Sequence, residues 1–157
     1  MTKTNAMRIL DRLKINYEIK TYVVDESDLS AEHVAQLIQM PAQQVFKTLV
    51  ARTNKREIVL ACVPGHLELD LKALGAATGG KKADLVALKE VQTLTGYIRG
   101  GVSPLGTPKP LPVYIDQSAQ QWPHISISAG QRGIQIITNP NDLIKATKAT
   151  VCALSKP

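Results

Sequence analysis

Two stretches of this sequence carry residue types for which packing alone has little use. The first is Gly100-Gly101-Val102-Ser103-Pro104-Leu105-Gly106, which crowds three glycines and a proline into one short run. Glycine permits positive φ and lets a ligand approach the main chain, while proline stiffens the turn. Successive N–H groups in such a loop can converge on an anion or a carbonyl oxygen. The second is Lys47, set in Gln44-Val45-Phe46-Lys47-Thr48-Leu49-Val50, a segment apolar enough for a central strand. An ammonium there is costly unless it reaches solvent or a partner. By the two-residue period of a strand, Lys47 shares a face with Val45 and Leu49, opposite Phe46, Thr48 and Val50. Amides and a fixed cation are equipment for stabilising charge on oxygen. A plain surface turn, and an edge lysine that blocks aggregation, are the alternatives these residues alone leave open.

Other chemistries find no such support. His33, His66 and His124 have no short ligand spacing among themselves or with Cys62 and Cys152, so no metal site is expected. There is no Gly-x-Ser-x-Gly elbow, and neither cysteine has a basic neighbour to activate it. The glycines from Gly75 to Gly80 precede Lys81-Lys82 without the spacing of a phosphate-binding P-loop. No side-chain nucleophile is in view.

The elements that must hold these residues follow from periodicity. A helix is predicted over 4–14, with Met7, Leu10 and Leu13 on one stripe and Thr4 or Asn5 as cap. A strand over 15–24 leads to a helix over 30–39, opened by Ser30, whose apolar face is Val34, Leu37 and Ile38. Strands over 44–53 and 57–64 form a hairpin through Thr53-Asn54-Lys55-Arg56. Asp70 caps a helix over 71–78, and a further helix spans 83–95 with Val86, Val91 and Leu94 inward. Short strands at 111–115, 125–128 and 133–138 follow, the last two a hairpin; then come a helix opened by Pro140 and a terminal strand within 149–154. Antiparallel hairpins with interspersed helices predict an α+β fold. It is expected to be a single domain over 1–157, with a curved, mixed, mostly antiparallel β-sheet surrounded by helices.

A chain of 157 residues can bury a core without metals or disulfides. Its 44% hydrophobic and 20% charged residues exclude a disordered or coiled-coil chain, and 4% aromatics exclude a base-stacking sheet of the usual RNA-binding kind. Cys62 and Cys152 lie in apolar surroundings and are expected to be reduced and buried, as in a reducing compartment. The N-terminus lacks a signal pattern and no apolar run approaches ~20 residues, so a cytoplasmic protein without a membrane partner is expected. The net charge of +6 is spread over the chain, including Lys72, Lys81, Lys89, Arg99 and Lys145, and suits a folded basic face for RNA phosphates.

Phe46-Lys47-Thr48-Leu49, the run from Thr95 to Gly106, and Ser126-Ile127-Ser128-Ala129-Gly130-Gln131-Arg132-Gly133 together closely resemble the YbaK/EbsC family, in order and spacing over essentially the whole chain. The resemblance implies the domain shared with the editing insertion of bacterial prolyl-tRNA synthetases, and deacylation of mischarged tRNA in trans. It is nearest the YbaK branch, which implies removal of cysteine from Cys-tRNA(Pro), with Cys-tRNA(Cys) as a second substrate. Cysteine is close to proline in size, so a synthetase pocket that accepts proline cannot reject it by sterics. In YbaK-like proteins the substrate thiol attacks its own ester carbonyl, giving a cyclic thiolactone and free tRNA; no cofactor or metal is implied.

The same resemblance implies the site. Lys47, at the carbonyl or terminal phosphate, and the amides of Gly100 and Gly101, on the aminoacyl carbonyl or ribose, form the catalytic set. Tyr22, Phe46, Thr48, Ser103, Pro104, Ser128 and Arg132 form the substrate-binding set, with Arg132 suited to phosphate. The expected partners are the acceptor end of mischarged tRNA and, because a chain this small has little room for an anticodon reader, prolyl-tRNA synthetase. Two departures bear on specificity: Ala129 stands where relatives have glycine, and Gln135 where some have an acidic residue. They leave open another small aminoacyl-tRNA such as Ala-tRNA(Pro). A noncatalytic module for a nucleotide or a tRNA 3′ end is the competing reading.

Overall fold

The computed structural model describes residues 2–157. In chain order it contains α1 (Asn5–Arg12), β1 (Tyr17–Thr21), α2 (Ala31–Leu37), β2 (Phe46–Thr53), β3 (Ile58–Pro64), β4 (Glu68–Leu69) and α3 (Leu71–Ala77). There follow β5 (Ala83–Leu85), α4 (Leu88–Thr95), β6 (Val113–Asp116), β7 (Ile125–Ser128), β8 (Ile134–Thr138), α5 (Pro140–Thr147), β9 (Thr150–Cys152) and β10 (Ser155–Lys156). Helix starts are fixed by side chains that accept orphan backbone N–H groups: Thr4 from Met7, Ser30 from His33, Asp70 from Ala73, and Asn139 from Asn141 and Asp142.

Five strands run in the order β5-β2-β3-β6-β9; β5, β2 and β3 pair antiparallel, and β6 lies parallel to both β3 and β9. A second, antiparallel sheet is ordered β1-β8-β7, and β10 pairs with β4. A parallel bridge between Val45 and Ser126 joins the first two sheets where β2 and β7 begin, so they curve round a shared interior. Phe46, Val50, Leu60, Cys62, Ile115, Ile125 and Ile136 fill that interior with Met7 and Leu10 of α1. On the other face of β2 and β3, Ala51, Val59, Ala61 and Val63 pack on Leu74 of α3 and on Leu154. Val34, Ala35 and Ile38 pack α2 onto Val45 and Ile137. The curved mixed sheet and its helices are the α+β architecture expected from the hairpins.

Four expectations need correction. The segment 83–95 is not one helix: Ala83–Leu85 pairs with Ala51–Thr53, and α4 begins only at Leu88. The outer edge of β2 needs hydrogen-bond partners, and that demand outweighs local helix propensity. Leu13 and Leu37 are 51% and 41% exposed: α1 ends at Arg12, before Leu13, and Leu37 lies off the face by which Val34, Ala35 and Ile38 pack α2. The terminal strand expected within 149–154 forms but is confined to Thr150–Cys152, and an unforeseen strand, Ser155–Lys156, follows it. Cys152 is only half-buried, because β9 is an edge strand; Cys62 is fully buried.

Candidate functional site

A cleft of about 430 Å³ opens where β2 loses its outer neighbour. β5 covers only Ala51, Arg52 and Thr53, so Phe46, Lys47, Thr48, Leu49 and Val50 become a cleft wall. Residues 27–32, before and at the start of α2, form the facing wall, and Gly100, Val102, Ser128 and Gln135 also line the cleft.

Lys47 takes the face predicted for it, with Leu49 and opposite Phe46, Thr48 and Val50. Its Nζ lies 3.5 Å from the Gly65 carbonyl oxygen, and no carboxylate approaches within ion-pairing distance among the described residues. Burial pushes its pKa below the ordinary lysine value; Glu32 and then Glu68 oppose the shift without cancelling it. The result is a partly desolvated cation held for something that arrives. Glycine at 65 lets the end of β3 lie close to the start of α2, since a Cβ there would stand 2.9 Å from Ala31 Cβ and 3.0 Å from the Val45 carbonyl oxygen.

The glycine-rich loop starts with a tight turn. Gly101 N–H donates to the Ile98 carbonyl at 2.9 Å, and Gly100 has φ +85°, the positive value that the third residue of a type II turn requires. Arg132 Nε donates to the Arg99 carbonyl at 2.7 Å, across the turn. Further along, Leu105 N–H donates to Ser103 Oγ at 3.3 Å and the Tyr97 hydroxyl donates to the Leu105 carbonyl. The loop is thus tied at three points, while Gly100 N–H keeps no protein acceptor among the described residues. Gly100→Ala would force an unfavourable φ and place a Cβ 3.3 Å from Arg132 Nε. Denaturant unfolding should show it about 1–2 kcal/mol less stable than the parent protein.

Lys47, Gly100, Phe46, Thr48 and Ser128 come together in the cleft; Tyr22, Gly101, Ser103, Pro104 and Arg132 do not line it. The Gly101 amide, expected to face the ligand, is spent on the turn. Ser103 is buried with its oxygen turned to its own loop, and Pro104 is buried beside it. The Tyr22 side chain packs on the cluster around Val34 and Val45. Arg132 clamps the turn from outside. Ser128 Oγ accepts from Gly130 N–H at 3.1 Å and keeps its proton for donation. Thr48 Oγ1 lies 3.6 Å from Cys62 Sγ, and burial pushes the Cys62 thiol up to about 12.

Sequence reasoning missed Ser30, Glu32, Gly65 and the aliphatic rim of Leu29, Leu85 and Leu88, all of which line the cleft. One trace of the rim lay in the sequence, because Leu88 falls outside the predicted inward stripe of Val86, Val91 and Leu94, and in the structure it is 63% exposed. Ala129 is buried in the core with ordinary negative φ, so the position does not demand glycine. Among the described residues no group of three or more His, Cys, Asp and Glu is placed to hold a metal ion, and no helix is long and apolar enough to cross a membrane.

An unpaired cation, a free N–H and a hydroxyl around one cleft can hold a carbonyl oxygen and stabilise negative charge on it. The sequence profile of the family described as "Aminoacyl-tRNA editing domain" matches residues 25–146, which span both cleft walls and the loop. The chain belongs to the aminoacyl-tRNA editing domain family. This editing domain is 44% identical, over 145 residues, to an Enterococcus faecalis protein named "Putative Cys-tRNA(Pro)/Cys-tRNA(Cys) deacylase EbsC", a match covering 92% of this chain and 88% of that one. A proline–tRNA ligase of Brachyspira hyodysenteriae is 30% identical over 77 residues, covering 49% of the editing domain and 13% of the ligase. A solved structure described as "a putative trans-editing enzyme for prolyl tRNA synthetase" superposes with TM-score 0.83 at 27% identity, over 100% of both chains. A hypothetical protein of known structure shares the fold, with TM-score 0.88 at 21% identity and coverage of 98% of this chain and 100% of its own.

Proposed function

We propose that this editing domain removes cysteine from Cys-tRNA(Pro), and from Cys-tRNA(Cys), by cyclisation of the substrate's own thiol. The observation that carries the reading is the placing of the Lys47 ammonium, which has no ion pair among the described residues, and Gly100 N–H around a cleft that no histidine or cysteine lines. The name of the Enterococcus faecalis relative supports the same substrate. The substrate sulfur attacks the ester carbonyl carbon, a C–S bond forms, and the bond from that carbon to the tRNA 3′ oxygen breaks. The thiol proton ends on the 3′ oxygen, leaving a four-membered thiolactone and deacylated tRNA. Lys47 and Gly100 N–H stabilise the oxyanion of the tetrahedral intermediate.

Phe46, Thr48 and Ser128 line the space for the aminoacyl group and terminal ribose. Arg132 spends Nε on the Arg99 carbonyl and keeps its terminal nitrogens for a backbone phosphate at the mouth. Gly101, Ser103, Pro104 and Tyr22 serve by holding the loop and wall in place. The proposed partners are the acceptor end of mischarged tRNA and prolyl-tRNA synthetase, in the cytoplasm where tRNA is charged.

The purified protein should release cysteine from Cys-tRNA(Pro) well above the spontaneous rate and serine from Ser-tRNA(Pro) far more slowly. Equal rates would replace cyclisation by attack of water. Tight tRNA binding without release would leave a noncatalytic module.

A further inference from the structure

Besides Lys47 and Arg99, cations without an ion pair among the described residues, the cleft holds one unpaired charge of opposite sign. Two carboxylates line it, Asp28 and Glu32. Asp28 is engaged locally, accepting from Ser30 N–H at 3.1 Å and lying 4.0 Å from His33 Nδ1. Glu32 makes no hydrogen bond or ion pair among the described residues. It acts on Lys47 through space without closing a salt bridge, so both charges stay available to a ligand.

Gln135 supplies the independent observation. It is 5% exposed and lines the cleft, and its Oε1 accepts from Ser126 Oγ at 2.8 Å. Its Nε2 has no protein partner, yet no fully buried side-chain polar atom lacks one among the described residues, so Nε2 reaches the cleft surface. A primary amide with its oxygen committed offers only donors. It can meet a carbonyl or a sulfur but cannot receive an ammonium.

An α-aminoacyl ester carries an ammonium next to a carbonyl that becomes negative on attack. A cleft with a donor amide at Gln135, cations at Lys47 and Arg99 and a single unpaired carboxylate offers the ammonium one partner, and so takes that dipole in one orientation. We propose that Glu32 receives the α-ammonium of the aminoacyl group and so sets which end of the substrate faces Lys47. Glu32 is then a positioning and specificity residue; the inference rests on the aminoacyl-ester reading of the cleft.

The test uses the full chain and two non-hydrolysable probes, 3′-cysteinylamino-3′-deoxyadenosine and its counterpart with 3-mercaptopropionyl in place of cysteinyl, which lacks only the amino group. Calorimetry should show the parent protein binding the cysteinyl compound about tenfold tighter, and Glu32→Gln binding the two alike. Asp28→Asn should keep the preference and Glu32→Asp should recover part of it. In Cys-tRNA(Pro) release, Glu32→Gln should raise KM more than it lowers kcat. A tenfold preference that survives Glu32→Gln, or equal weakening of both compounds, overturns the assignment while leaving the aminoacyl site intact. Failure of the parent protein to bind either compound overturns both readings.

Discussion

Lys47→Met should release cysteine from Cys-tRNA(Pro) about 10²–10³-fold more slowly than the parent protein, while unfolding at the same or a higher denaturant concentration. The kinetic loss is that expected for removing one preorganised partner of a developing oxyanion. The stability half follows from the surroundings of the side chain. The ammonium gains only a 3.5 Å contact to the Gly65 carbonyl, against the cost of partial burial. Methionine fills nearly the same volume without that cost. The sign of the pH dependence agrees. The folded-state pKa of Lys47 lies below the ordinary 10.5, so the unfolded chain binds the proton more tightly. Protonated Lys47 therefore opposes folding, and the parent protein gains stability as pH rises through the folded value. Its catalytic advantage over the variant should shrink over that same rise, because the charged form is the one that acts. An unfolded variant, or one of unchanged rate, would return Lys47 to the role of a guard on an exposed strand edge.

Asp116→Ala should lower the unfolding free energy by about 3 kcal/mol, the largest stability effect expected outside the hydrophobic core. Asp116 ends β6 and is 3% exposed. Its Oδ2 accepts from Ser118 N–H at 3.2 Å and from Ser118 Oγ at 2.5 Å, and its Oδ1 accepts from the N–H groups of Leu154 at 2.8 Å and Ser155 at 3.1 Å. One carboxylate thus fastens the C-terminal segment to the sheet. Burial alone would raise its pKa, but the bonds from Ser118, Leu154 and Ser155 outweigh it and hold the group below the ordinary carboxylate range. That stabilisation is complete above the ordinary value of 3.8 and is lost as pH falls through the lower folded value. The gap in urea midpoint between the parent protein and Asp116→Asn should accordingly be widest near neutrality and close in acid. A gap independent of pH would show that the charge contributes nothing. Cysteine release by either variant, measured well below its unfolding transition, should be unchanged, because Asp116 lies outside the cleft.

How far these features could be read beforehand depended on how local their causes are. The face of Lys47 follows from the period of a strand, and it is as predicted. The caps at Thr4, Ser30 and Asp70 follow from side chains that reach their own helix and need no knowledge of the rest; Asn139, equally local, was passed over for Pro140 as the opening of α5. The fate of the Gly101 amide is decided within one turn yet was missed, because glycine allows either sign of φ: the positive value at Gly100 turns that N–H back to Ile98. The Arg132 clamp was not legible either, since nothing in the chain announces that its Nε will serve a carbonyl 33 positions away. Residues 83–85 were misplaced because they satisfy the edge of a distant strand. Glu32 was hidden by its company: an acidic residue two positions after a serine cap reads as an ordinary helix start. Asp116 left only the weak trace of an aspartate two positions before a serine, whereas the groups it holds lie 38 and 39 residues downstream.

The Thr48–Cys62 contact bears on how the protein itself survives its proposed substrate. A reactive thiolate near such a site could itself attack the aminoacyl ester or the thiolactone product, taking the acyl group as a thioester and releasing the tRNA 3′ oxygen or the substrate thiol. Cys62 sits directly behind a cleft wall, bonded to Thr48, with its thiol pushed up to about 12. At physiological pH it stays almost wholly in the unreactive form, and its full burial denies access to an incoming sulfur. The wall proposed to contact cysteinyl groups is thereby backed by a sulfur that resists acyl capture.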